Sequence, residues 1–299
     1  MRGRAGPSAR FRITVAADRT RRRRRGPSSS HSAALTLRSA GPSFSHEGRR
    51  FFARARAESQ LQPAPEATTP TPMTHYVVPA PVQPAVPVEG SSSLFPVRRI
   101  LCVGRNYAAH RVEMGGDDRE PPFFFSKPAD ALVLPGHGVP YPTVTTNLHH
   151  EIELVLAIGA DGADVPVAQA LDLVWGYAVG VDLTRRDLQN ALKDKGYPWE
   201  ASKGFDNAAP ISAIRPADKV GHPQGRIFLS VNGQIRQDGK VADMIWNAAQ
   251  IISQASRLWR LEAGDLIYTG TPEGVGPLVR GDKVAGGVEG VGEISFTIT

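Results

Sequence analysis

The run NLHHEIELVLAIG, Asn147 to Gly159, is apolar enough to be a buried strand, yet it carries two glutamates. Side chains on a strand alternate between faces. Glu151, Glu153, Val155 and Ala157 therefore share one face, and Ile152, Leu154, Leu156 and Ile158 share the other. Two carboxylates a few ångströms apart and partly desolvated either raise each other's pKa or require a cation between them. An edge strand with one wet face is the alternative. That face would turn apolar at Val155 and Ala157, so the metal reading takes precedence.

The overall charge of +6 conceals two unlike regions. Residues 1–72 hold fifteen of the 35 basic residues, all arginine, and four of the 29 acidic ones, a net +11 that leaves residues 73–299 at −5. The first region is rich in Arg, Ser and Pro, lacks apolar periodicity and includes the run Arg21 to Arg25; such a composition buries too little to fold and is expected to be disordered. An organelle transit peptide, a nucleic-acid-binding arm and a wrongly assigned start upstream of Met73 all fit it, the last being preferred. The acidic remainder argues against nucleic acid as a partner. No stretch approaches the ~20 apolar residues of a membrane span, and the single cysteine, Cys102, fits a reducing compartment. A cytoplasmic location is expected, or a mitochondrial one if the extension is a true transit peptide. The expected organisation is a basic extension over 1–72, a lead-in over 73–96 and one catalytic domain over 97–299.

Beyond Phe95 short strands alternate with few helices and many Gly/Pro turns. RRILCVG reads as a strand ending at Gly104 and NYAAHRVEMG as a short helix. YAVGVDLTRRDLQNALKDKG reads as a strand feeding a helix that stops at Gly196. RIFLSVNGQIRQDG is a hairpin whose Asn232-Gly233 pair suits a type I′ turn. The longest helical pattern, ADMIWNAAQIISQASRLWRLEAGD, spaces Ile251, Ile252, Ala255, Leu258 and Trp259 for one buried face. DLIYTG and the glycine-punctuated tail are strand-like. The fold class is mixed β, a β-rich α+β architecture, rather than regular βα alternation.

A cation needs more than two ligands. Asp182 ends the strand Tyr177 to Val181 and either projects into a cleft as a third carboxylate or caps the helix that follows. Three oxygen donors with neither cysteine nor paired histidine select Mg²⁺, Mn²⁺ or Ca²⁺ over zinc or copper, Mg²⁺ suiting best a site completed by water. His110 and Glu113 stand at i and i+3, the spacing of a carboxylate-held base and equally of an ordinary surface pair. Arg186 and Gln189 repeat that spacing after Asp182, as a carboxylate clamp or a solvated face. Lys203 lies in the loop-like stretch WEASKGFDNAAP. YTGTPEGVGP supplies Thr269 and Thr271 in a tight turn but has neither P-loop nor dinucleotide-binding register.

Taken together, GRNYAAH with the following Glu, HHEIEL, GYAVGVDLTRRDLQ, KGYPWEASKGFD and TGTPEGVGP closely resemble the fumarylacetoacetate hydrolase superfamily, most of all its small single-domain branch of acylpyruvases and fumarylpyruvate hydrolases. The resemblance runs from about Val97 to Thr299. It implies a mixed β-sandwich roll, a homodimer, and Mg²⁺ or Mn²⁺ held by Glu151, Glu153 and Asp182. It further implies a water-activating His110/Glu113 dyad, a catalytic Lys203, and a substrate site including Arg105, Arg186, Gln189 and Thr271. The expected reaction is hydrolysis of a carbon–carbon bond in a 2,4-dioxo acid such as fumarylpyruvate, as in gentisate-type aromatic catabolism, giving pyruvate and a carboxylic acid. Oxaloacetate decarboxylation and 2-hydroxy-dienedioate isomerisation or decarboxylation are alternatives on the same fold. A nucleic-acid-binding protein and a purely structural β-domain are weaker rivals, the latter leaving Glu151 and Glu153 without a cation.

Overall fold

The computed structural model describes residues 75–107 and 120–299. The basic extension, and the expected helix carrying His110 and Glu113, lie outside the described residues. Within them the architecture is mixed β, as expected. A six-stranded sheet runs in the order Arg215–Pro216, Val174–Val181, Ile152–Ile158, Asp265–Tyr268, Arg99–Gly104, Phe123–Lys127. Its pairings are antiparallel except that Asp265–Tyr268 lies parallel to Arg99–Gly104. A second, antiparallel sheet orders Gln234–Lys240, Arg226–Val231, Lys283–Val288 and Gly292–Thr297. A three-stranded sheet joins Gly276–Leu278, Leu148–His150 and Thr184–Arg185.

Ile152–Ile158 is a central strand of the large sheet, and all seven of its residues are buried. The edge-strand reading of the glutamates therefore fails, because both faces are covered. The β-branched and leucine-rich composition suits a strand with no wet side. The core continues through Ile100, Val179, Leu266 and Ile267 on the neighbouring strands. Where the two larger sheets approach, a Cβ on Gly286 would sit 2.5 Å from the Phe228 carbonyl oxygen and 2.6 Å from the Cδ1 of Ile152, so there is no room for a side chain there.

The hairpin turn falls at Asn232 and Gly233, with φ of 52° and 80°, both in the left-handed region that a type I′ turn demands. The helix expected after Asp182 spans Arg186–Asp194, and Gly196 ends it with φ 66°. The long helical pattern shortens to Ala248–Leu258. Asn247 caps it, accepting from the Gln250 N–H while the Gln250 side chain accepts from the Asn247 N–H. This capping box starts the helix there and leaves ADMIW to a 3₁₀ turn and extended chain. Ile251, Ile252 and Ala255 are buried as expected and Trp259 is half-buried against the core, but Leu258, the last helical residue, is exposed.

Candidate active site and metal centre

Glu151 sits at the junction between the strands Leu148–His150 and Ile152–Ile158, and Glu153 lies two residues on, facing the same way. The Asp182 N–H donates to the Glu151 carbonyl at 2.8 Å, fastening the end of Val174–Val181 beside that junction. One oxygen from each of the three carboxylates lies within 4.8 Å of the others, and all three residues are buried. Asp182 is no helix cap: the cap of Arg186–Asp194 is Arg185, so the capping reading is set aside.

Such a cluster is costly without cations. Burial, then the charges of Asp182 and Glu151, push the Glu153 carboxyl well above the ordinary range, against the help of the Gly270 N–H, which donates to its Oε2 at 2.7 Å. Lys203 Nζ bridges Glu151 Oε2 at 2.7 Å and Asp182 Oδ2 at 2.6 Å. Burial opposes the charge of Lys203, but Asp182 and Glu151 outweigh it and raise its pKa. Arg186 pairs with Glu151 and donates to the side-chain amide oxygen, Oε1, of Gln189 from the first turn of its helix. Lys203 itself lies at the end of a short helix, Glu200–Lys203, rather than in a loop; the turn carries its ammonium inward.

A small cavity brings together Arg105, Glu151, Glu153, Arg186, Gln189, Lys203 and Thr271, walled by Phe125 and Trp199. Its volume is about 30 Å³. Gly104 and Arg105 also line an adjoining cavity with Glu120, Pro121, Pro122, Phe123 and Trp246. Arg105 has a φ of 56°, and its guanidinium stands 5.8 Å from the Phe123 ring centre. His110 and Glu113 lie outside the described residues.

Two supporting residues escaped the sequence reading. Lys127, fully buried, pairs with Asp182 Oδ1 at 2.8 Å and donates to the carbonyls of Leu183, at 3.1 Å, and Lys203. A lysine closing the aromatic run FFFSK was a usable signal, the same kind as a glutamate inside an apolar strand. Asn106 donates to the carbonyls of Thr269 and Trp246 at 2.8 and 2.9 Å and accepts from the Trp246 N–H, anchoring the end of the Arg105 strand to the threonine turn. Nothing local marks it.

The donor set fits a hard divalent cation: three oxygen donors, no sulfur, and like charges whose repulsion such an ion relieves. Residues 99–299 match the family model described as fumarylacetoacetate (FAA) hydrolase C-terminal. The chain belongs to the fumarylacetoacetate hydrolase family. A fumarylpyruvate hydrolase of Ralstonia sp is 50% identical over 179 residues, covering 60% of this chain and 93% of that protein. An oxaloacetate tautomerase of Mus musculus, mitochondrial by name, is 44% identical over 202 residues, covering 67% and 91%. Among solved structures, the fumarylpyruvate hydrolase of Pseudomonas aeruginosa in complex with Mn²⁺ and pyruvate is 48% identical with a TM-score of 0.74, covering 75% of this chain and 99% of that one. Among the described residues, no helix is long and apolar enough to cross a membrane.

Proposed function

We propose that this member of the family is a divalent-metal-dependent hydrolase that cleaves a carbon–carbon bond in a 2,4-dioxo acid, fumarylpyruvate first, to pyruvate and a carboxylic acid. The observation that carries the reading is the convergence of Glu151 and Glu153, clustered with Asp182, with Lys203, Arg186, Gln189 and Thr271 on one cavity, in a chain 50% identical to a fumarylpyruvate hydrolase. Glu151, Glu153 and Asp182 would hold the ion, Mg²⁺ or Mn²⁺, in a homodimeric protein. When bound, the ion supplies positive charge that favours an anionic dioxo acid and the enolate it releases.

The chain's own groups do the rest. Lys127, Lys203 and Arg186 pair with Glu151 and Asp182, while Glu153 accepts from the Gly270 N–H. Arg186 with Gln189 presents a rigid donor pair to the substrate carboxylate, fixing which ketone is exposed. His110, oriented by Glu113, takes a proton from the water that adds to the distal ketone. The bond to the pyruvate carbon then breaks, its electron pair forming the enolate of pyruvate, which a proton quenches. Lys203, held by Glu151 and Asp182, offers a preorganised positive charge to the developing oxyanion.

Oxaloacetate chemistry is the second reading, favoured by the 44% identity to an oxaloacetate tautomerase. It needs the same enolate and no attacking water. The test is kcat/KM of the Mg²⁺- or Mn²⁺-loaded protein on fumarylpyruvate, acetylpyruvate and oxaloacetate, in the wild type and in His110→Ala. Loss of the base is expected to cost about 10²–10⁴-fold on the dioxo acids and much less on oxaloacetate. Equal losses on both would withdraw the water-activating role of His110, and preferred turnover of oxaloacetate by the wild type would replace the first reading by the second.

A further inference from the structure

In the strand Gln234–Lys240 a single residue is buried, and it is a glutamine. Gln237 is fully buried and makes four hydrogen bonds. Its Oε1 accepts from the Ile152 N–H at 3.1 Å and meets His150 Nδ1 at 2.9 Å. Its Nε2 donates to the Pro272 carbonyl at 2.9 Å and to Thr271 Oγ1 at 2.8 Å. Two of these partners admit only one role. A backbone N–H only donates and a carbonyl only accepts, so the amide oxygen faces Ile152 and the NH₂ faces Pro272.

The other two partners then have no choice. His150 carries its proton on Nδ1, and the Thr271 oxygen accepts. A hydroxyl that accepts along one direction directs its own proton along another. Among the described residues nothing accepts the Thr271 proton, and Thr271 lines the cavity that holds Glu151, Glu153, Arg186 and Lys203. We propose that Gln237, 34 residues from Thr271 in sequence, is a positioning residue that holds the Thr271 hydroxyl as a hydrogen-bond donor into the cavity, selecting there a carbonyl or carboxylate oxygen of a 2-oxo acid. The inference rests on the reading of Thr271 as a substrate contact. It extends that reading to a residue that touches no substrate.

The test is pyruvate affinity by calorimetry on the full Mn²⁺-loaded chain, with Mn²⁺ affinity and thermal unfolding measured for each variant. Thr271→Val is expected to weaken pyruvate binding by about tenfold, the worth of one hydrogen bond to a charged ligand, and Thr271→Ser to retain it. Gln237→Glu keeps the acceptor toward Ile152, and the single proton it takes up on burial goes to the Pro272 carbonyl, leaving none for Thr271. The hydroxyl therefore turns to donate to it, and pyruvate binding falls by a similar factor. Gln237→Met, which frees the hydroxyl without reversing it, is expected to lose less, and it carries the test should the buried glutamate prevent folding. Because both residues act through one hydrogen bond, either Gln237 variant combined with Thr271→Val is expected to bind pyruvate within about twofold of Thr271→Val alone. Multiplying losses in the double variants, or wild-type affinity in Gln237→Glu while Thr271→Val is impaired, would overturn the proposal alone. Wild-type affinity in Thr271→Val would overturn the substrate-contact reading together with it.

Discussion

Glu153 illustrates how a residue disfavoured by folding is retained by chemistry. Its carboxyl is pushed up by burial and by Asp182 and Glu151, so the folded metal-free protein holds this proton more tightly than the unfolded chain. With the folded pKa raised, that contribution to stability is present below the ordinary carboxylate range and is lost as pH rises through the raised value. Unfolding titrations of metal-free protein should therefore show stability falling with rising pH, and Glu153→Gln should flatten that slope. The amide oxygen can still accept from the Gly270 N–H, so the fold survives. Mn²⁺ affinity and activity in this variant should fall by about 10²-fold or more, since a ligand charge is gone. Lys203→Met is the opposite case: it leaves Glu151 with Arg186 alone and Asp182 with Lys127 alone, and should cost about 1.5–3 kcal/mol in denaturant unfolding of metal-free protein.

At the level of elements, the strand Ile152–Ile158 does two jobs at once. Its apolar residues form the middle of the large sheet, and its N-terminal end carries both glutamates to the cleft. Truncating Leu156, fully buried between Asp265–Tyr268 and Val174–Val181, should cost about 2–5 kcal/mol with an unchanged denaturant slope. Metal affinity of the folded fraction should stay close to wild type, because the loss lies in the core and not at the carboxylates. The helix Ala248–Leu258 depends on a smaller device. Asn247→Ala removes one half of its capping box and should cost about 1 kcal/mol, read as a shift in midpoint.

For the molecule as a whole, the site is where distant parts of the chain are tied together. Phe123–Lys127, the Glu151 junction, Asp182 and the Glu200–Lys203 turn contribute charges that cancel only in the folded state. A bound ion therefore stabilises the fold by mass action. At a free Mg²⁺ or Mn²⁺ concentration 100 times its dissociation constant the gain is about 2.7 kcal/mol. Adding chelator should lower the unfolding midpoint of the wild type and shift that of Glu153→Gln far less. An equal shift in both proteins would place the stabilising ion elsewhere.

Much was legible in the sequence because it is written in neighbouring residues. The alternation that sets Glu151 and Glu153 on one face, the Asn232-Gly233 turn and the Gly196 helix stop each follow from the local stereochemistry of a few residues. The ordered motifs around them carried the family and with it the β-rich fold. Tertiary structure alone decided the rest. Asp182 was divided between cap and ligand until the large sheet put it beside Glu151, Lys127 carried a local signal but no partner, and Asn106 and Gln237 sit in a turn and a strand whose local pattern gives no reason for a buried polar group. Their partners lie far along the chain: 76 residues separate Lys127 from the Lys203 carbonyl, and 85 separate Gln237 from the Ile152 N–H. The parallel pairing of Arg99–Gly104 with Asp265–Tyr268 is equally non-local. A side chain's local periodicity says which way it points, but whether its charge or amide finds a partner depends on which strands the whole sheet brings together.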